Sequence, residues 1–469
     1  MSILRATSGV ALHIDLSESR LRAGLEHQLR EAIRHGRLTP GIRLPSSRTF
    51  ARELGIARNT VADAYGQLIA EGWLVARQGA GTWVAERPTL SATADAMAPV
   101  VDRVRFDLRP GVPDLGSFPR PAWIAATRRA FAAAAESALG YSDPRGLSML
   151  REALAGYLAR ARRVAVDPER VLVCGGFAQG LDLICATLRS RGATTVAVEA
   201  YGHRLHRDII EANGLATTTL PVDSGGASFD DMCDVGAALL TPAHQFPTGV
   251  ALDPARRRSS VAWAADSGSL LIEDDYDGEF RYDRQPVGAM QSLAPDQVVY
   301  AGTASKSLAP GLRLAWLVVP GHLLEELVEV QRIRGGPPSN VDQLTLAEFI
   351  GSGAFDRHVR TARLAYRRRR DRLVASLADG APTVEISGIS AGLHALVHLQ
   401  ARDEHDVVAR AAHQGLAVQG LGEFTAPGHE RGPALVIGYA TPPDHAYTAA
   451  LARLTTVLAS SEGVSVRAR

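Results

Sequence analysis

The sequence is almost without lysine. Of its 51 basic residues 50 are arginine, and the single lysine is Lys306. Cysteine is nearly as scarce. Cys174, Cys185 and Cys233 match neither a zinc site nor a disulfide framework, so they read as buried thiols in a reducing compartment. No apolar run reaches the roughly 18 to 20 residues that span a bilayer. The opening MSILRATSGVALHIDLSESR lacks the charged head and apolar stretch of a secretory signal. These absences exclude a secreted disulfide scaffold, a zinc finger and a membrane-spanning chain, and leave a cytoplasmic protein with no membrane partner and no metal site. What remains is ordinary for a globular chain of 469 residues, 46% hydrophobic and 22% charged, long enough for roughly two to four domains.

The missing lysines give the remaining one weight. Arginine replaces lysine wherever a positive charge suffices, but a guanidinium stays protonated and forms no Schiff base. A lysine kept alone in such a chain points to amine chemistry. Charge is also unevenly spread. Net charge is +1, yet residues 1–87 hold 12 Arg against 8 Asp and Glu, while residues 88–469 hold 39 basic against 42 acidic residues. A basic head on a slightly acidic body implies a polyanion as the partner of the head.

The head has a readable order of elements. Leu21, Leu25, Leu29 and Ile33 fall on one helical face that ends at Gly36. Ser46 or Ser47 caps a short helix carrying Phe50, Ala51 and Leu54, which Gly55 terminates. Arg58-Asn59-Thr60 opens another helix with Val61, Ala64, Tyr65, Leu68 and Ile69 inward, stopped by Gly72. WLVARQGAGTWVAE then alternates around Gly79 and Gly81 as a β-hairpin. Helix, helix, tight turn, helix, hairpin predicts a winged helix-turn-helix over residues 10–87. LPSSRTFARELGIARNTVADAYGQLIAEGWL…RQGAGTWV resembles the GntR family of DNA-binding domains, which implies double-stranded operator DNA as partner. Arg58, Asn59 and Thr60 begin the helix that would enter the major groove. Ser47 and Arg48 suit backbone contact, Arg77 and Gly79 lie on the wing, and Arg43 precedes this set.

Residues 88–104 are rich in Ala, Pro, Ser and Thr and read as a linker. Beyond them, residues 105–462 alternate apolar runs with amphipathic helices, the pattern of an α/β fold with a mostly parallel sheet sandwiched by helices. The strands are expected at Val171–Cys174, Thr195–Val198, Ala237–Leu240, Leu270–Ile272, Val298–Tyr300 and Ala315–Val319. From roughly 337 to 462 a long Arg-rich helix and mixed strands predict a smaller α+β subdomain. The run Arg367–Arg370 reads as a solvated helix face rather than a second nucleic-acid site, because an acidic body surrounds it.

Ligands of such sheets gather at the carboxyl ends of the strands. Three of those ends carry Gly175–Gln179, Glu273–Asp277 and Gly302–Ser307, the last followed by Arg313. Together they suit an aldehyde cofactor with an aromatic nitrogen and a phosphate. Lys306 supplies the imine, Asp274 a partner for a protonated ring nitrogen, and Tyr276 a hydrogen bond to the ring oxygen. Arg313 and the glycine turn at a helix N-terminus take the phosphate. That combination describes a site for pyridoxal 5′-phosphate, with Lys306 as the catalytic residue.

EDDYDGEFRYDRQPVGAMQSL…VVYAGTASKSLAPGLRLAW resembles class I aminotransferases of fold-type I, and a GntR-type head on such a body resembles the MocR group of regulators. The resemblance implies further cofactor neighbours: Ser305 and Thr303 near the phosphate, Gly176, Phe177 and Ala178 in its cup, and His203 in the place of the ring-stacking aromatic residue. Tyr141 matches a tyrosine that reaches the phosphate of the partner subunit, which implies a homodimer. Two positions depart from the enzyme pattern. Phe246 stands where aminotransferases carry an asparagine, and Val436 where they carry the arginine that grips the substrate carboxylate. Loss of that clamp removes a charge-assisted contact of about 1.5 to 3 kcal/mol, with Arg204 and Arg207 as the candidate substitutes. The expected function is a transcription regulator that senses pyridoxal phosphate itself, or an amine effector, through the Schiff base at Lys306. The alternative is an active aminotransferase with a fused DNA-binding head.

Overall fold

The computed structural model describes residues 2–5, 11–14, 21–86, 105–230, 232, 235–282, 288–400, 402–429 and 432–459. The linker expected at 88–104, Cys233, Arg87 and the outermost residues of the expected domains, 10 and 460–462, lie outside these. The chain divides into two compact units, Met1–Val100 and Val101–Arg469.

In the first unit, helices Leu21–Arg34, Ser47–Leu54 and Arg58–Ala70 precede a hairpin of Leu74–Arg77 with Gly81–Val84. Leu25, Leu29, Phe50, Val61, Ala64 and Leu68 are buried in one small core. Ser46, not Ser47, is the cap of the second helix, its Oγ accepting from the Thr49 amide at 3.2 Å. Gly55 ends that helix at φ +67°, a conformation glycine adopts without the Cβ penalty. The Tyr65 hydroxyl donates to the Pro45 carbonyl at 3.1 Å and ties the third helix to the loop before the second.

The second unit is built on seven strands in the order Val171–Cys174, Ala315–Val318, Val298–Thr303, Leu270–Asp275, Ala237–Leu240, Thr195–Glu199 and Ala216–Leu220. All pairings are parallel except the two made by Ala315–Val318. The apolar runs form strands because both faces are covered. Leu172, Cys174, Ile272, Val299 and Leu317 pack with Leu181, Ile184 and Leu327 on one side. Val171, Val173, Tyr300, Trp316 and Val318 pack with Leu150, Leu154 and Phe349 on the other. A fully buried Leu or Val contributes roughly 1.5–3 kcal/mol, so the two layers hold the strand ends rigidly in register. The seventh strand, ATTTL, was not expected. As an edge strand it is half-exposed and carries threonine instead of an apolar run.

Four antiparallel strands, Glu385–Ser387, His394–His398, Ala434–Gly438 and Gln419–Gly420, form the smaller region with helices Glu404–His413 and Asp444–Ala459. Its core also takes Phe106 and Leu108 from the start of the unit, and it begins within the long helix Ala354–Gly380, at Ala362. The boundary near 337 is therefore too early: helix Asn340–Gly351 packs Leu346, Phe349 and Ile350 into the core of the large sheet. The Arg367–Arg370 run is not uniformly solvated either. Arg369 is buried, donating to the Ala440 and Pro442 carbonyls at 2.7 and 2.8 Å and to Asp114 at 2.8 Å.

Candidate functional site

Alternation along strand Leu270–Asp275 sorts the acidic run EDDYD by role. Glu273 and Asp275 turn away from the cleft at the strand ends. Glu273 accepts from the amides of Met290 and Gln291 at 2.9 and 3.1 Å. Asp275 accepts two bonds from Arg162, at 2.6 and 2.8 Å, and one from the Tyr300 hydroxyl at 2.7 Å. Asp274, on the opposite face, lines the cleft. Burial holds its carboxyl well above the usual range; Asp275 and Asp277 add to this, and Lys306 opposes it. A positive N–H placed beside it would return it to the carboxylate form.

Lys306 follows strand Val298–Thr303 and points into the same cleft, its Nζ donating to the Gly111 carbonyl at 2.6 Å. Burial lowers the pKa of this ammonium, against the pull of Asp274 and Asp277, which favours the nucleophilic free amine. Across the cleft, Gly176 opens helix Phe177–Ser190 at φ +112°. A Cβ there would lie 2.9–3.0 Å from the Arg313 guanidinium. Arg313 itself sits at φ +52°, a left-handed backbone uncommon outside glycine. The Thr303 hydroxyl donates to Ser305 Oγ at 2.9 Å, and the Ser305 amide returns to Thr303 Oγ1 at 3.1 Å. A guanidinium, two hydroxyls and a helix N-terminus converge here, the donor set of a phosphate site.

The cleft is open at its mouth and holds a cavity of about 140 Å³. Its lining contains Lys306, Asp274, Tyr276, Arg313, Ser305, Thr303, Gly176, Phe177 and His203. Two candidates are not among them. Ala178 lies one residue further along its helix, outside the lining, and the Tyr141 side chain is fully exposed on this single chain. The His203 ring stacks on Phe246 at 4.2 Å with 15° between planes. Burial, then Lys306, lowers its pKa to about 4, so it is neutral near pH 7. Val436 is fully buried between Leu396 and Gln419, away from the cleft. Of the two substitute clamps, Arg204 is exposed and pairs with Asp208 at 3.6 Å, whereas Arg207 lines the cleft and donates to the Thr425 carbonyl at 3.5 Å.

Sequence reasoning missed Glu199, His206 and His394, all in the lining. Glu199 ends strand Thr195–Glu199 and accepts from the Thr241 amide and hydroxyl at 3.1 and 2.6 Å and from Gln245 at 3.2 Å. Its place at a strand end was a usable signal. His394 had none, because the smaller region delivers it from more than 80 residues downstream of Lys306.

In the head, the arginines divide into two groups. Arg22, Arg30 and Arg34 are paired with Glu26, Glu71 and Glu31. Arg43, Arg48, Arg58 and Arg77 are exposed, and none has a carboxylate within 4.0 Å among the described residues. Arg43 and Arg77 flank the Trp83 ring at 5.9 and 5.0 Å, with Gly79 at φ +74° at the tip of the wing. Ser47, Arg48, Arg58, Asn59 and Thr60 sit in the first turns of the second and third helices.

Comparison with known proteins agrees with both halves. Residues 106–454 match the family "Aminotransferase class I and II", and residues 21–84 match "Bacterial regulatory proteins, gntR family". The pyridoxine biosynthesis transcriptional regulator PdxR of Corynebacterium glutamicum is 34% identical over 85% of this chain and 88% of its own length. The probable rhizopine catabolism regulatory protein MocR of Rhizobium meliloti is 32% identical over 89% and 87%. The chain belongs to the MocR/PdxR-type transcriptional regulators. Its body has the aminotransferase fold: kynurenine aminotransferase of Pyrococcus horikoshii superposes with a TM-score of 0.69 at 22% identity, covering 76% of this chain and 92% of that one. For a MocR-type regulator, the GntR head implies DNA binding and the aminotransferase fold implies a cofactor of the pyridoxal phosphate type. Among the described residues, no helix is long and apolar enough to cross a membrane.

Proposed function

We propose that this regulator binds pyridoxal 5′-phosphate at Lys306 and converts occupancy of that site, by the cofactor alone or with an amine effector, into a change in operator binding by a homodimer. One observation carries the reading: Lys306, Asp274 and the Arg313–Gly176 cradle meet in one cleft, while Phe246 and Val436 leave out two contacts of a working aminotransferase. The residues fit the group. Asp274 takes a ring N–H, and Arg313, Thr303, Ser305 and the Gly176–Phe177 turn the phosphate; the Tyr276 hydroxyl, which donates to the His244 carbonyl at 3.0 Å, would turn from it to reach the ring oxygen. His203 and Phe246 form an aromatic wall beside the ring site. The cofactor would contribute an electrophilic carbon for amines, and burial lowers the pKa of Lys306 toward the free amine that would bond to it. Arg43, Ser47, Arg48, Arg58, Asn59, Thr60, Arg77 and Gly79 form the DNA face, and the unpaired arginines among them supply its phosphate contacts.

Arg207 favours a second reading, an active aminotransferase, since it brings a cation into the cleft that could hold a carboxylate. Turnover separates the two. The cofactor-loaded protein is incubated with a panel of amino acids and a keto-acid acceptor. The regulatory reading expects stoichiometric cofactor capture with at most a single conversion per site. Sustained keto-acid release over many turnovers overturns it in favour of the enzyme.

A further inference from the structure

Behind Tyr276 and outside the cleft lining lie His244 and Asp277, each only 3% exposed. His244 Nδ1 is bonded to Asp277 Oδ2 at 2.8 Å. A carboxylate oxygen only accepts, so Nδ1 carries the proton of that bond. The same Nδ1 lies 3.1 Å from the Tyr276 hydroxyl oxygen, whose own proton goes to the His244 carbonyl at 3.0 Å. One histidine therefore meets the phenol oxygen twice, with a donor from its ring and an acceptor from its backbone.

Packing alone does not call for this pair. The other ring nitrogen of His244, Nε2, is buried without a hydrogen-bond partner among the described residues. A buried polar atom left unpaired is destabilising, and so is a carboxylate taken out of water. An aliphatic side chain would fill the space without either cost. The backbone of the smaller region also makes room. Gly392 sits at φ +71°, and a Cβ there would collide with Nδ1 and Cε1 of His244 and with Asp277 Oδ2. Its amide and carbonyl are tied down, the amide donating to the Phe280 carbonyl at 2.7 Å and the carbonyl accepting from the Tyr439 hydroxyl at 2.6 Å. The imidazole is thus held in one orientation, and beyond Asp277 the side chain within reach of its Nδ1 is Tyr276.

We propose that His244, oriented by Asp277, positions the Tyr276 hydroxyl for the ring oxygen of the cofactor. The phenol oxygen stays held by Nδ1 while its proton turns from the His244 carbonyl to the ring oxygen. A bond donated to the phenol oxygen also polarises its O–H and strengthens the next bond in the chain. His244 and Asp277 act through Tyr276 and are positioning residues. The inference rests on the pyridoxal phosphate reading above and adds the two residues that make its tyrosine effective.

The test is absorbance titration of the full-length protein with pyridoxal phosphate. Four forms make a cycle: wild type, His244→Leu with Asp277→Asn, Tyr276→Phe, and all three changes together. Asp277→Asn accompanies His244→Leu so that no buried carboxylate is stranded. Removing the pair is expected to weaken cofactor binding about five- to tenfold, the size of one neutral hydrogen bond. In the Tyr276→Phe background the same removal should cost less than about twofold. His244→Asn, whose amide can bring an N–H near the place of Nδ1, should stay within about threefold of the wild type. A pair that only supported the fold would cost the same affinity with or without the Tyr276 hydroxyl. Equal losses in the two backgrounds overturn the inference, as does unchanged affinity on removing the pair or a His244→Asn protein as weak as the His244→Leu form. Melting of the cofactor-free proteins shows which of them fold. Should the His244→Leu form fail to fold, His244→Gln, whose longer side chain carries its amide past the Nδ1 position, takes its place in the cycle. A wild type that captures no pyridoxal phosphate overturns the cofactor reading itself, and this inference with it.

Discussion

Replacing Gly176 with alanine tests the cradle at the helix N-terminus in two separable ways. The glycine sits at φ +112° and ψ 161°, a region that is essentially glycine-only, and holding a Cβ there costs about 1–3 kcal/mol. That cost appears as a lower melting temperature of the cofactor-free protein, or disappears if the loop relaxes. The second effect is on affinity. The new Cβ would come within 2.9–3.0 Å of three atoms of the Arg313 guanidinium, so Arg313 must move out of the position proposed for phosphate contact. Losing a hydrogen bond to a charged group is worth about 1.5–3 kcal/mol, or roughly 10- to 150-fold in the dissociation constant. Fluorescence or absorbance titration of wild type, Gly176→Ala, Arg313→Ala and the double variant with pyridoxal phosphate gives a complete cycle. If alanine acts by displacing Arg313, it should cost little further affinity once Arg313 is gone, with a coupling above about 1 kcal/mol. Additive losses, or a Gly176→Ala affinity within threefold of wild type, would refute the reasoning.

Three other outcomes are expected. Arg162→Ala strands the buried Asp275 carboxylate and should cost about 3–5 kcal/mol of stability, read by denaturant unfolding; a loss under 1 kcal/mol contradicts the role assigned to this pair. Burial lowers His203 to about 4 and His206 to about 3, so their contribution to stability is complete above the unfolded value near 6.5 and lost as pH falls through those lower values. Melting temperature should therefore drop over that window, and His203→Phe, which keeps an aromatic ring on Phe246, should flatten the drop; an unchanged slope contradicts it. Arg58→Ala should weaken DNA binding and reduce its salt dependence by about one ion, whereas Arg30→Ala, whose guanidinium is held by Glu71 at 2.8 Å, should leave the salt slope alone.

Much of this architecture was legible because local chemistry and fold point the same way. The apolar runs at Val171–Cys174 and Ala237–Leu240 read as buried strands and are. Lys306 drew attention through composition alone, and Asp274 through its place at a strand end. What escaped notice depends on packing between distant segments. ATTTL was not among the expected strands because an edge strand needs no apolar run. Arg369 looked solvated because nothing local shows that the Ala440 and Pro442 carbonyls arrive over it. Glu199 stood at a strand end, a usable signal that was passed over, whereas His394 is unremarkable in sequence and enters the cleft only because the smaller region packs against the sheet. The resolution of EDDYD into one cleft-facing carboxyl and two structural ones follows from strand alternation, but only once the strand is known to run through Asp275 rather than stop at Ile272.

The central claim is that occupancy of the Lys306 site controls the head. The most direct measurement is the affinity of the full-length protein for the intergenic fragment upstream of its own gene, at fixed salt, with and without pyridoxal phosphate and with Lys306→Ala alongside. The account predicts that the cofactor, alone or with an amine, shifts wild-type affinity and that Lys306→Ala does not respond. Identical affinities for the wild type under every condition, with the cofactor bound stoichiometrically, would contradict it.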